Sequence, residues 1–351
     1  MTIQCRIAEQ RGVIAIAGED RVAFLQGLVS GDVKAAAPDR AIWAALLTPQ
    51  GKYLHDFFVA DGGHALLLDC EAARGNDLAQ KLKPYRLRSK VAFEDRRDDW
   101  RVAVLWGEGA AAAVGLAEQP GAAGVFAGGV AFVDPRMAEA GVRVVAPAAA
   151  LAPALRAAGA ADASEADWNA HRMPLGLTDG SADIDVGKAI LLEYGFDELN
   201  GVSWTKGCYM GQELTARTKY RGLVKKRLTP VRIEGDAPPI GADLTFQDER
   251  VGELRSIAGE WGFALVKRTA LAAATDPQLD EPGVLRWRDT RLAPHLPGWL
   301  EASIHPEDAE STLLAIPAGA ARGAYRASAA RRARPTVDPS PRRGPSVSPM
   351  R

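Results

Sequence analysis

Residues 12–17 (GVIAIA) form an unbroken apolar run bounded by polar positions and predict a short buried strand. A helix follows, with Phe24, Leu25, Leu28 and Val29 on one face and Gly31 placed to end it. Two apolar segments, 41–48 (AIWAALLT) and 52–60 (KYLHDFFVA), flank Thr48-Pro49-Gln50-Gly51. Proline second and glycine fourth fit a type I turn, so the pair predicts a hairpin. A strand at 64–69, a helix at 71–83 and a strand near 88–94 complete the pass. The order β-α-β-β-(β)-α-β resembles a ferredoxin-like layer.

A second pass of similar grammar has strands at 101–106, 130–133 and 142–146, with Ala-rich helices between and after them. Ser164 precedes a helix carrying Trp168 and His171. From 228 to 290 the texture changes to short strands broken by Gly, Pro and Asp, which predicts a small β-barrel or sandwich. Residues 326–351 are rich in Arg, Pro and Ser with almost nothing to bury, and read as disordered.

At 351 residues the chain is long enough for two or three domains. Its formal charge of −1 argues against a nucleic-acid binder, which usually carries a net basic surface. Cys5, Cys70 and Cys208 are too few and too scattered for a disulfide framework or a paired zinc site, so a reducing compartment is expected. No apolar run reaches the ~20 residues of a membrane helix, and the opening residues lack a leader pattern. A cytoplasmic protein is the expectation. There is no P-loop, no Gly-rich dinucleotide loop and no HExxH. The five histidines are scattered, none at metal-ligand spacing.

Chemistry concentrates in 201–222, GVSWTKGCYMGQELTARTKYRG. Gly207 and Gly211 bracket Cys208 so closely that backbone approach, rather than core packing, explains the spacing. A helix from near Cys208 to Lys219 would place the thiol at its N-terminus. With Lys206 alongside, the dipole and the ammonium would favour the thiolate, the form that binds soft metals. The competing reading makes Cys208 a small buried hydrophobe, and Cys5 and Cys70 read that way more strongly.

The run KGCYMGQE resembles the K-G-C-[FY]-x-G-Q-E signature of the YgfZ family, folate-binding relatives of the glycine-cleavage aminomethyltransferase. GVIAIAGEDRVAFLQGLVSGDV and LLTPQGKYLHDFFV resemble that family's opening strand with its F-L-Q-G helix and its P-x-G-K hairpin. RTKYRG fits as well. The likeness is plain over residues 10–60 and 165–230 and fainter elsewhere.

The resemblance implies an α+β protein of two ferredoxin-like subdomains plus a C-terminal β-barrel, arranged around a central folate pocket. The expected boundaries are 1–100, 101–227 and 228–300, with 301–351 a disordered tail. It implies that Cys208 is the essential thiol, set among Lys206, Gly207, Tyr209, Gly211, Gln212 and Glu213. It implies a tetrahydrofolate site at Trp168, which is either a pterin wall or a helix-face core residue. Glu193 is the candidate carboxylate for the pterin edge, and Arg11 stands where some relatives carry a Trp near folate. Tyr209, Gln212 and Glu213 are candidates for the same pocket.

The implied function is a non-catalytic accessory role in assembly or repair of 4Fe–4S clusters. Implied partners are A-type iron–sulfur carriers and client enzymes such as radical tRNA methylthiotransferases, with no direct contact to nucleic acid or membrane. One cysteine cannot hold a cluster that needs about four ligands, so any cluster at Cys208 would be transient and shared. The rival function is tetrahydrofolate-dependent aminomethyl or one-carbon transfer. For that activity Asp69 stands where an Asn is expected, and Asp77 fits only with an added residue.

Overall fold

The chain's first two strands, β1 (Gln4–Ile7) and β2 (Arg11–Ala17), go to different sheets. β2 heads the first, followed by α1 (Arg21–Gln26), β3 (Ile42–Leu47), β4 (Tyr53–Asp61), β5 (Ala65–Glu71), α2 (Gly75–Leu82) and β6 (Ala92–Asp95). The spatial order is β3-β4-β5-β2-β6 with antiparallel pairing. Setting aside the edge strand β3, this is the ferredoxin-like βαββαβ order. The apolar run in β2 is continuous because both of its faces are covered. Ile14 and Ile16 pack with Leu25, Leu78 and Leu82 of the helices. Val13 and Ala15 enter a second core on the opposite face.

The computed structural model describes residues 2–276 and 283–305. The second sheet takes β7 (Trp100–Trp106), α3 (Ala110–Ala113), β8 (Ala123–Phe126), β9 (Gly129–Val133), β10 (Val142–Pro147), α4 (Ala148–Ala157) and β11 (Ala161–Asp162). Its order, β11-β1-β7-β10-β9-β8, is again ferredoxin-like with β1 inserted beside β7. Residues 4–7, which the sequence reading groups with the first subdomain, therefore belong to the second. They pair along β7 (Cys5 opposite Leu105) and bury Cys5 under its helices.

α5 (Glu165–Arg172) starts at a capping box in which Ser164 and Asp167 satisfy each other's backbone N–H groups. After α6 (Gln212–Tyr220) come β12 (Lys226–Glu234), β13 (Asp243–Phe246), β14 (Glu249–Ala258), β15 (Trp261–Lys267), α7 (Arg268–Ala274), β16 (Leu285–Trp287), β17 (Thr290–Pro294) and α8 (Gly298–Ile304). The six strands close into a barrel, β12 pairing with both β15 and β17. A boundary at 300 would cut α8, whose Leu300 and Ile304 are buried in the barrel core. The expected disordered tail lies, from 306 on, outside the described residues.

One shared core joins the three parts. Val13, Trp43 and Phe58 of the first sheet meet Val102, Phe132 and Val145 of the second and Leu228, Phe263 and Leu265 of the barrel, with the segment 173–209 threaded among them. Among the described residues no helix is long and apolar enough to cross a membrane.

Candidate functional site

α1 ends at Gly27, not at Gly31. Gly31 serves close packing instead: a Cβ there would stand 2.6 Å from the Trp43 carbonyl oxygen. The loop from Gly27 to Gly31 thereby exposes a row of backbone acceptors, and the signature segment docks on it. Ser203 N–H donates to Ser30 O (2.9 Å), Met210 N–H to Gly27 O (3.2 Å), and Ser30 Oγ–H to Gly201 O (2.6 Å). Lys206 Nζ donates to Val29 O at 2.7 Å and to Gly31 O at 2.5 Å. Burial pushes its ammonium down to about 8.

The hairpin turn braces the other side. Thr48–Gly51 closes by a Gly51 N–H···O Thr48 bond of 2.8 Å, with Gly51 at φ +72. Gly211, at φ +81, lies against it, so that a Cβ on Gly211 would stand 2.6 Å from Thr48 O and 3.0 Å from Gly51 Cα. Gly207 (φ +97) has no atom within 4 Å of its would-be Cβ. Close approach therefore explains Gly211, whereas Gly207 answers only to its backbone angle.

These anchors hold a projecting turn. Tyr209 is buried in the shared core while Gly207 and Cys208 are exposed. The predicted helix over Cys208 is not there: α6 begins at Gln212, because Gly211 takes a left-handed conformation as its N-cap. The ammonium of Lys206, bonded to carbonyl oxygens, acts as a brace for the loop. Gln212 and Glu213 form the first turn of α6 and do not line the cleft of Trp168. The other two cysteines are buried. Burial pushes the Cys70 thiol up to about 12, and burial, then Asp162, raises that of Cys5.

Trp168 and Arg11 do meet, in a cleft between the two sheets lined also by Asp56, Phe58, Arg136, Arg143, Thr178 and Asp179. Trp168 packs on Trp106 (centroids 5.3 Å apart) and is almost fully buried. Asp69 accepts from Arg11 Nε (2.7 Å) and from Arg143 Nε (2.7 Å) and Nη2 (2.6 Å). Asp134 binds Arg136 through both oxygens, at 2.9 and 2.8 Å. The Arg143 guanidinium lies 4.1 Å from the Phe58 ring centroid and that of Arg136 5.0 Å from it. Asp56 accepts from Tyr53 Oη–H (2.7 Å) and Trp43 Nε1–H (3.0 Å), and burial raises its carboxyl. Burial would also raise Asp179, but Arg11, Arg172 and the Gln10 amide hold it at about 2.

The space left is about 10 Å³, room for roughly one water. A water there would satisfy Thr178 Oγ1, which is buried and has no partner among the described residues. A pterin would enter only if these side chains moved apart. Glu193 is not in the cleft. It lies in the short helix Leu191–Tyr194, where burial raises its carboxyl against the opposing pull of Lys226 and Lys52. The ionic lattice left a faint trace in sequence, as single charges (Asp56, Asp69, Arg143) inside apolar strands. The braces on the Cys208 loop are mostly backbone atoms and left none.

Residues 225–302 match the family model of the CAF17 C-terminal beta-barrel domain. The crystal structure of glycine cleavage system aminomethyltransferase T from Bartonella henselae superposes with a TM-score of 0.65 at 15% identity, covering 86% of this chain and 87% of that one. It shares the fold. The iron-sulfur cluster assembly factor IBA57 homolog of Mycosarcoma maydis is 32% identical, over 88% of this chain and 81% of its own. The chain belongs to the IBA57 family of iron-sulfur cluster assembly factors. Homo sapiens IBA57 is 33% identical over 75% of this chain and 77% of its own. Both relatives are named as mitochondrial, so the expected cytoplasmic location finds no support in them.

Within this fold the sequence motifs meet in one place. FLQGLVSG (24–31), TPQGK (48–52) and KGCYMGQE (206–213), far apart along the chain, converge so that backbone from the first two supports the loop of the third. Their product is one presented thiol. Among the described residues no cluster of three or more His, Cys, Asp or Glu side chains could hold a metal by itself.

Proposed function

We propose that the chain takes part in iron–sulfur cluster assembly by lending Cys208 as one thiolate ligand to a cluster whose other ligands come from a carrier protein. The observation that carries this reading is a single exposed cysteine on a projecting turn braced by backbone of two other motif segments. On ligation the thiol gives its proton to solvent, and the sulfur lone pair fills one iron site. The remaining sites need ligands that no cluster among the described residues supplies, so a partner is a physical requirement of this reading. Membership of the IBA57 family supports the reading, as does the YgfZ-like signature. A-type carriers are the natural cluster source, and 4Fe–4S enzymes, radical tRNA methylthiotransferases among them, the recipients.

One-carbon transfer gains no support. Asp69 is locked between Arg11 and Arg143, and a pterin would enter the cleft only by displacing its arginines. The proposed mechanism therefore contains no folate step.

The test is complementation. A strain lacking its own copy receives wild type or Cys208→Ala, and the activity of a 4Fe–4S client is scored at equal protein abundance. Restoration by wild type alone is expected. Restoration by both would overturn the role of the thiol.

A further inference from the structure

The rim of the Cys208 loop is basic and apolar in a chain of net charge −1. Two segments flank the loop, and each touches it. On one side Tyr85 Oη–H reaches Met210 Sδ at 3.2 Å. On the other, the Tyr220 ring packs edge-on to Trp204 at 6.0 Å. Residues 81–90 (KLKPYRLRSK) and 214–227 (LTARTKYRGLVKKR) contain no carboxylate. Lys83, Arg86, Arg88, Arg217, Arg221 and Lys225 form no ion pair among the described residues, though Lys81, Lys90, Lys219 and Arg227 do.

The same segments expose side chains that ordinarily seek cover. Leu87 is 88% exposed and held at φ +42, a conformation that strains a leucine. Tyr220 is 76% exposed, and Tyr85 and Leu223 are exposed as well. Leu87 forms one lip of a groove floored by Ala23 and Phe24, with Asp20 and Arg88 at its rim. Tyr, Trp, Met and Arg around a partly apolar centre are the composition of a protein interface.

We propose that this rim is the docking surface for an acidic protein that carries a thiolate-bound iron–sulfur cluster, with Leu87 and Tyr220 as apolar anchors on either side of Cys208. The inference rests on the reading above and adds the partner's chemistry to it. Charge complementarity argues for that occupant. Two ferric ions, two sulfides and four thiolates sum to a net double negative charge, so the cargo itself is an anion, and these unpaired positive charges would be a costly rim for any neutral ligand patch. Basic side chains around the receiving thiol would steer such a carrier and offset its charge. A nucleic acid would also meet cations and aromatic rings, but the near-neutral chain as a whole favours the protein.

The experiment measures association of the full-length chain with a 2Fe–2S-loaded A-type carrier, by stopped flow and under anaerobic conditions. It compares wild type, Arg86→Glu/Arg88→Glu, Leu87→Asp and Cys208→Ser, all checked for unchanged melting temperature. The charge reversal is expected to slow association at least about tenfold at low salt, with the difference shrinking as ionic strength rises. Leu87→Asp should raise the dissociation rate, and Cys208→Ser should abolish the bridged cluster while leaving the salt-dependent encounter. If Cys208→Ser fails as expected but the rim variants bind like wild type, the docking surface is wrong and the cluster-ligand reading stands. If Cys208→Ser forms the bridged cluster normally, that reading fails whatever the rim does. No binding to the loaded carrier by wild type, or rim-dependent binding to a 20-nucleotide RNA probe in its place, would overturn the proposal.

Discussion

Replacing Gly211 with alanine tests whether the signature loop is held by close backbone approach. At φ +81 an L-residue pays roughly 1–2 kcal/mol for the left-handed conformation. The new Cβ also meets Thr48 O at 2.6 Å and Gly51 Cα at 3.0 Å, both backbone atoms that cannot swing aside. Overpacking of that kind costs about 1–3 kcal/mol. Gly211→Ala should therefore destabilise by about 2–5 kcal/mol, against a total stability of order 5–15 kcal/mol. Gly207→Ala is the internal control, because it shares the positive φ (+97) but meets nothing within 4 Å. It should lose only about 1–2 kcal/mol. Urea unfolding of both variants, with matching m-values, reads the difference. Equal losses would refute the reasoning, since the contact with the hairpin turn would then contribute nothing.

Three further outcomes follow from the cleft and its surroundings. Asp69→Asn removes the shared anion of Arg11 and Arg143, leaving two buried guanidinium groups short of a partner, and should cost about 3–5 kcal/mol in denaturant unfolding; a loss under about 1 kcal/mol would show the lattice to be slack. His55 is buried, and burial, then Arg74, pulls it to about 4 from 6.5 despite its contact with Asp77. Between those values the unfolded chain binds a proton that the folded chain refuses, so stability should fall as pH drops from 6.5 to 4, by up to about 3 kcal/mol. His55→Gln should show a shallower acid slope over that window, and an unchanged slope would count against the burial argument. Tetrahydrofolate or its 5-formyl derivative at millimolar concentration should leave the melting temperature of the wild type unmoved, because the cleft has room for about one water; a rise of several degrees would mean that the arginines yield to a ligand.

Much of the fold was legible because alternation and turn chemistry are local. The Pro49–Gly51 turn, the Ser164 cap and the barrel texture of 228–290 were all visible as patterns. The division of strands between sheets was not. Gln4–Ile7 is too short to declare a partner, and its pairing with β7 is a non-local choice. The helix over Cys208 was misplaced because its periodicity ignores the left-handed backbone at Gly211, which sets the start at Gln212. Cys208 itself was found from its motif, but its exposure depends on carbonyls at 27–31 that sequence does not mark. Glu193 was chosen for proximity along the chain, which says little about proximity to Trp168 across a fold joined by a shared core.

The most direct test of the account is native mass spectrometry of the chain mixed anaerobically with a 2Fe–2S-loaded A-type carrier, for wild type and Cys208→Ala. The account predicts a one-to-one complex that retains iron and sulfide with wild type and loses them with the variant. A variant complex holding the same cluster in the same yield would contradict it, because Cys208 would then not be a ligand.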